Sequence, residues 1–180
     1  ASFWEVANYR DAYKLYACSG LLFNHESPLR PERFVTRKII ASACRIANGS
    51  KEKLQLGNID IRRDWGWAPE FVEAMYLMLQ QDQAEDYVIA TGKSYPLEEF
   101  VRSAFEHFNL DWREHVSTDN GLLRPTDHFM GLGNPSKAKR DMGWIPKYHM
   151  PDVVRMMAEA ELAIVKPKRV SVKLEPQSSK

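Results

Sequence analysis

The chain has 180 residues, 44% of them hydrophobic and 11% aromatic, which is enough for one compact domain and excludes disorder as a description of the whole. Lys and Arg number 25 against 24 Asp and Glu, a formal net charge of +1, so composition does not single out nucleic acid as a partner. The longest apolar runs, Leu21 to Phe23 and Ala158 to Val165, fall far short of the roughly 20 residues of a membrane span. No charged-then-apolar leader opens the sequence, and a cytoplasmic chain without membrane or nucleic-acid partners is expected.

Phe3 to Tyr13 reads as an amphipathic helix with no N-cap before it, as though the chain began mid-element. Tyr16 to Phe23 is short and apolar enough for a buried strand. It ends in the polar cluster Asn24-His25-Glu26-Ser27-Pro28, a loop able to carry functional groups. The spacing of Val35, Ile39, Ala43 and Ile46 predicts a helix over Phe34 to Asn48, with Asn48-Gly49 as its stop. Leu54 to Gly57 and Arg63 to Gly66 read as two short strands around a polar turn. Pro69 then sits in the first turn of a helix running to Gln81.

Tyr87 to Gly92 is a second candidate for a buried strand. A helix follows from Ser94 or Tyr95 to Asn109, with Leu97, Phe100, Val101, Ala104 and Phe108 on one face. Trp112 to Asp119 is expected as a further strand, Asn134 to Lys139 opens a short helix closed by Gly143, and Pro151 to Val165 is the last helix. Residues 166–180 lack a periodic apolar face and are expected to form a flexible tail. Cys18 and Cys44 lie in apolar segments without Cys-x-x-Cys or Cys/His spacing, so buried free thiols in a reducing compartment and no metal site are expected. Strands alternating with helices make this an α/β chain, but with too few strands for a complete doubly wound sheet. The sequence contains neither Gly-x-Gly-x-x-Gly nor a Tyr followed four residues later by Lys.

The chemistry-bearing signal is four loops rich in Arg or Lys: Asn24 to Arg30, Arg33 to Lys38, Leu56 to Arg63, and Arg124 to Asp127. Planar guanidinium forks and amide donors suit phosphate oxygens, and a diphosphate fits such a set. Taken singly, Arg33, Arg37 and Arg62 read as solvated surface charges, and His25 as a hydrogen-bonded structural histidine. The five tryptophans read as core or subunit-contact residues rather than base-stacking platforms.

Specific stretches add a family resemblance. Leu22 to Pro28 (LFNHESP), Arg33 to Ile39 (RFVTRKI), Leu56-Gly57-Asn58 and Arg63-Asp64-Trp65-Gly66 resemble the GDP-mannose 4,6-dehydratases of the extended short-chain dehydrogenase/reductase superfamily. So do Tyr87 to Gly92, Arg124-Pro125-Thr126-Asp127, and Gly133 to Lys139 with Gly143-Trp144. The resemblance runs in order from Phe3 to Ala163. It implies a partial Rossmann-like fold: late sheet strands plus the smaller C-terminal substrate-binding domain, over residues 1–165. It further implies conversion of GDP-D-mannose to GDP-4-dehydro-6-deoxy-D-mannose and water, with NADP as cofactor and a dimer or tetramer as the assembly. The family's catalytic Tyr-x-x-x-Lys and Gly-rich loop would lie upstream of Ala1, making an N-terminal half the chain's partner.

By the same resemblance, His25 and Arg30 would touch NADP, and Asn24, Val35, Lys38, Gly57, Arg63, Arg124 and Asp127 would hold the GDP-sugar. No catalytic residue is carried over. The family usually has Glu where Asp127 stands, and often Arg-Arg-Gly where this chain has Leu29-Arg30-Pro31. Strands deprived of their neighbours would leave an apolar surface exposed. The alternatives are another nucleotide-sugar epimerase or dehydratase, or an inactive fragment that only binds nucleotide or a partner.

Overall fold

A computed structural model describes residues 2–122 and 129–165. Helix α1 (Ser2–Tyr13) leads into strand β1 (Gly20–Leu22) and strand β2 (Asn24–Glu26). Helix α2 (Val35–Ala47), strands β3 (Leu54–Leu56), β4 (Arg62–Arg63) and β5 (Trp65–Trp67), and helix α3 (Ala68–Met78) follow. Then come β6 (Tyr87–Ile89), β7 (Tyr95–Pro96), α4 (Leu97–His107), α5 (Trp112–His115), β8 (Val116–Thr118), α6 (Ser136–Met142) and α7 (Met150–Val165). The expected tail at 166–180, and Arg124 and Asp127 in 123–128, lie outside the described residues.

The strands join in pairs across long intervals of sequence. β1 runs parallel to β6, β2 to β5 and β3 to β8, while β4 and β7 are antiparallel. Parallel pairing requires a crossover, and helices supply it. The two strands expected around the polar turn at 57–62 therefore do not form a hairpin; each pairs with a strand far along the chain.

Most apolar burial comes from α2, α4 and α7 closing against β3 and β5. Ile39, Ile40, Ala43, Phe100, Val101, Phe105, Met150, Val153 and Met157 meet there around Trp65, whose ring lies 5.2 Å from that of Phe100. α2 is strongly one-sided because Ile39, Ile40, Ala43 and Ile46 recur at helical spacing. Val35, expected on that face, is instead exposed at the first turn. A second core joins α3, β6 and α6 through Phe71, Met78, Ile89 and Trp144. Trp144 Nε1 donates to the Glu70 carbonyl at 3.1 Å, and the buried Glu70 carboxyl accepts from the Lys147 and Tyr148 amides at 2.8 and 3.2 Å. Arg37, read alone as a surface charge, pairs with the buried Glu161 of α7 and ties α2 to α7.

Two expectations are corrected. Trp112 to Asp119 is not one strand: the Asp111 side chain accepts from the Arg113 amide, caps a helical turn, and leaves only Val116–Thr118 extended. α1 forms but is not amphipathic, since it has no buried residue and Trp4, Tyr9 and Tyr13 are exposed around it. Its anchor is Arg10, whose guanidinium holds both Asp86 oxygens at 2.9 and 2.8 Å and also donates to the Ala17 carbonyl. Cys44 is fully buried, whereas Cys18 is only partly so.

The Arg10 hydrogen bonds, followed by the Ser19 amide, hold the Asp86 carboxyl below the ordinary aspartate value of 3.8. A depressed carboxyl stabilises the fold above its unfolded pKa, and that stability is lost as pH falls through the folded value. Urea titrations at decreasing pH should thus show a decline below pH 3.8 that is flattened in Arg10→Met. The exposed Trp4, Tyr9, Tyr13, Leu15 and Tyr16 form an apolar stretch expected to bind a hydrophobic dye strongly and to broaden gel-filtration profiles. A sharp monomer peak with no dye signal is the contrary outcome.

Candidate functional site

The extended segment 20–26 changes partners halfway along. Up to Leu22 it pairs with β6, and from Asn24 it pairs with β5; the Phe23 amide still bonds the Ile89 carbonyl at 2.9 Å. Backbones that part at the carboxyl ends of parallel strands leave a crevice, the usual ligand position in open α/β sheets. A hollow of about 470 Å³ lies here, lined by Leu22, Phe23, Asn24, His25, Arg30, Arg63, Met130 and Gly131.

Three of its polar side chains are held by neighbours. His25 Nδ1 lies 2.8 Å from the Phe23 carbonyl. A carbonyl only accepts, so Nδ1 carries the proton, and Nε2 is the acceptor of the neutral ring. The ring stacks on Phe71 at 4.9 Å between centroids. Arg30 is held by Glu26, through Nε at 2.9 Å and a terminal nitrogen at 3.2 Å, with its guanidinium 4.3 Å from the Phe34 ring centroid. Arg63 donates to the Arg62 carbonyl at 2.8 Å, and Arg62 is drawn away to the Ser94 carbonyl.

A second hollow, of about 530 Å³, opens at the start of α2 and is lined by Arg33, Phe34, Val35, Lys38, Gln55, Leu56, Gly57, Asn58, Ile61, Leu97 and Leu122. The Arg33 to Lys38 segment, expected as a loop, is therefore mostly the first helical turn: the Phe34 amide bonds the Pro31 carbonyl, and the Lys38 amide bonds Phe34. Helical spacing sets Val35 and Lys38 on adjacent turns of one face. Lys38 Nζ donates to the Gln55 carbonyl at 2.8 Å. Gly57 is required by close approach, since a Cβ there would stand 2.8 Å from the Leu122 carbonyl oxygen.

The seven described residues singled out by sequence thus divide. Asn24, His25, Arg30 and Arg63 meet at the first hollow; Val35, Lys38 and Gly57 meet at the second. Phe34 lines the second hollow and carries the Arg30 guanidinium of the first on its face. Leu122 borders one hollow and Met130 the other, flanking the segment that holds Arg124 and Asp127. No group of three or more metal-ligating side chains occurs among the described residues, and no helix among them is long and apolar enough to cross a membrane.

Two carboxyl residues escaped the sequence reading. Asp64 is fully buried and accepts from the Thr91 amide (2.9 Å), the Thr91 hydroxyl (2.7 Å), the Gly92 amide (2.9 Å) and the Gly133 amide (3.4 Å). Glu26 is 2% exposed. Its position four residues before Arg30, across a turn closed by the Arg30 amide and Ser27 carbonyl, was the available signal.

Residues 1–157 match the family described as GDP-mannose 4,6 dehydratase. GDP-mannose 4,6 dehydratase 1 of Arabidopsis thaliana is 48% identical over 170 residues, covering 94% of this chain and 47% of the relative. The chain spans about half the length of the curated relatives it matches. Among solved structures, RMD from Pseudomonas aeruginosa complexed with NADPH superposes with a TM-score of 0.80 at 17% identity, covering 91% of this chain and 53% of that one. dTDP-glucose 4,6-dehydratase from Bacillus anthracis in complex with NAD gives 0.77 at 17% identity, over 87% and 48%.

Asp64→Ala removes the acceptor for three backbone amides and a hydroxyl around the first hollow. At about 1–3 kcal/mol for each buried donor left unpaired, a loss of at least about 3 kcal/mol in denaturant midpoint analysis is expected. Asp64→Asn should lose less, because the amide oxygen still accepts.

Proposed function

The chain belongs to the GDP-mannose 4,6-dehydratase family and has the fold of the extended short-chain dehydrogenase/reductases, and on that premise we propose that it forms the ligand-contacting C-terminal part of a GDP-mannose 4,6-dehydratase. The enzyme would be cytoplasmic and homo-oligomeric, a hydro-lyase taking GDP-D-mannose to GDP-4-dehydro-6-deoxy-D-mannose and water. One observation carries the reading. Residues scattered over forty positions of sequence gather at two neighbouring hollows that share a wall of Arg30 on Phe34.

In this reading the first hollow takes the nicotinamide end of the cofactor and the second takes the GDP-sugar. The polar set fits a nicotinamide dinucleotide: the accepting Nε2 of His25 suits a carboxamide N–H, and a guanidinium with unused N–H groups suits phosphate oxygens. When bound, that cofactor supplies reversible hydride transfer. RMD was solved with NADPH and the dTDP-glucose dehydratase with NAD; we assign NADP here, following the family resemblance.

The chain's own residues bind and orient. Lys38 puts an ammonium beside the Gln55 carbonyl, where it can meet a diphosphate oxygen without giving up its backbone anchor, because an ammonium has three donors. Gly57 lets the 120–122 backbone close over its own, and Val35 offers an apolar edge. Asn24 and Arg63 line the first hollow and are assigned to the sugar, whose reacting end must reach the nicotinamide there, while Arg124 and Asp127, outside the described residues, are assigned to the nucleotide. The Tyr–Lys pair of the family is not in this sequence, so binding is the role assigned to these residues, with turnover depending on an N-terminal half.

Lys38→Met in the complete enzyme should weaken GDP-mannose binding by about 1.5–3 kcal/mol, the scale of a charged hydrogen bond, as read by calorimetry, with NADP affinity kept. Wild-type preference for GDP-mannose over UDP-glucose is expected in the same experiment. Equal affinity for both sugars, or unchanged binding in Lys38→Met, contradicts the reading.

A further inference from the structure

The Arg30 guanidinium of the first hollow has both its edge and its face occupied by named groups. Its edge meets Glu26 through two hydrogen bonds at 2.9 and 3.2 Å, and its face lies on Phe34 at 4.3 Å. Glu26 is 2% exposed, whereas the Arg30 side chain is 25% exposed. A buried carboxyl therefore grips a cation that reaches into the hollow. A guanidinium has five N–H donors, and the two taken by Glu26 leave three for a ligand.

The local chain makes this grip possible. Glu26 ends β2, whose pairing with Trp67 of β5 sets its backbone, and the 27–30 turn brings Arg30 back over it. Phe34, just before α2, closes the other side. A free arginine loses rotamer entropy on binding an anion, so one already held loses less. The pair is also formally neutral. Long-range attraction for anions is thereby reduced, while the directional donors remain.

We propose that Glu26 is a positioning residue: it pre-sets the Arg30 guanidinium, with Phe34 as the backstop, for an oxygen of the cofactor in the first hollow. This rests on the reading that the first hollow takes a nicotinamide cofactor. Glu26 itself touches no ligand in this account and acts only through Arg30.

The test is a double-mutant cycle in the complete enzyme, reading NADPH dissociation constants by fluorescence titration. Arg30→Ala should weaken NADPH by about 10- to 100-fold, the range of a charged hydrogen bond. Glu26→Gln, which keeps the shape but loses the charged acceptor, should weaken it several-fold. Glu26→Gln combined with Arg30→Ala should bind no worse than Arg30→Ala alone, because a residue acting only through its partner shows no separate effect. GDP-mannose affinity should stay within about twofold in all three. In the 180-residue chain, the Arg30 Nε–H signal should be protected from exchange and lose that protection in Glu26→Gln. Additive losses, or Glu26→Gln with unchanged NADPH affinity beside a weakened Arg30→Ala, overturn the positioning role alone. Arg30→Ala with unchanged NADPH affinity overturns the cofactor assignment beneath it, and the positioning role with it.

Discussion

Burying a carboxyl group is tolerated only when nearly every acceptor position is filled, and Asp64 is the place where this chain meets that condition. The donors come from Thr91, Gly92 and Gly133, so three distant segments must converge before the group can be enclosed. Two other positions record how close they come. A Cβ on Gly133 would stand 2.2 Å from that of Ala90, and one on Gly66 would stand 2.4 Å from the Phe71 ring. Gly92 turns with φ near +76°, which suits glycine. Phe23, which lines the first hollow, lies 3.0 Å from where a Cβ on Gly133 would stand. The crevice is therefore shaped by a polar knot and two close approaches, not by an apolar core alone.

From this knot the other features follow in sequence. With β5 and the end of β6 fixed, segment 20–26 must leave one ladder and join the other, and Asn24 and His25 emerge at the crossing. Glu26 then lies buried and holds Arg30, and Arg30 rests on Phe34 where α2 begins. Lys38, one turn further on, reaches the carbonyl of Gln55 in β3. Two hollows with a common wall suit two ligands that must react with each other, since proximity and orientation supply a large part of catalysis.

Much of this was legible in the sequence where periodicity and punctuation were strong. α2 announced itself through Ile39, Ala43 and Ile46, α3 through Pro69, and α6 through Gly143, which adopts the left-handed conformation expected of a C-terminal stop. Pairing was not legible, because three-residue strands with partners forty or more positions away leave no local mark. Trp112 to His115 was not separable from the strand-forming Val116 and Thr118 that follow it, whereas the Asp111 cap decided for a helical turn. α1 misled because its aromatics alternate around the helix rather than along one side. Of the site, cations and amides in recurring loops were visible, but their division between two hollows was not. Asp64 and Glu26 stayed hidden because a carboxyl that holds backbone or an arginine has no sequence motif of its own.

The most direct measurement is a crystal structure of the complete enzyme with NADPH and a GDP-sugar bound together. The account requires the Arg30 guanidinium and His25 to lie within about 3 Å of cofactor atoms, still gripped by Glu26, with Lys38 and Gly57 against the GDP moiety. A cofactor bound away from His25 and Arg30, or a GDP group seated away from the start of α2, would contradict it.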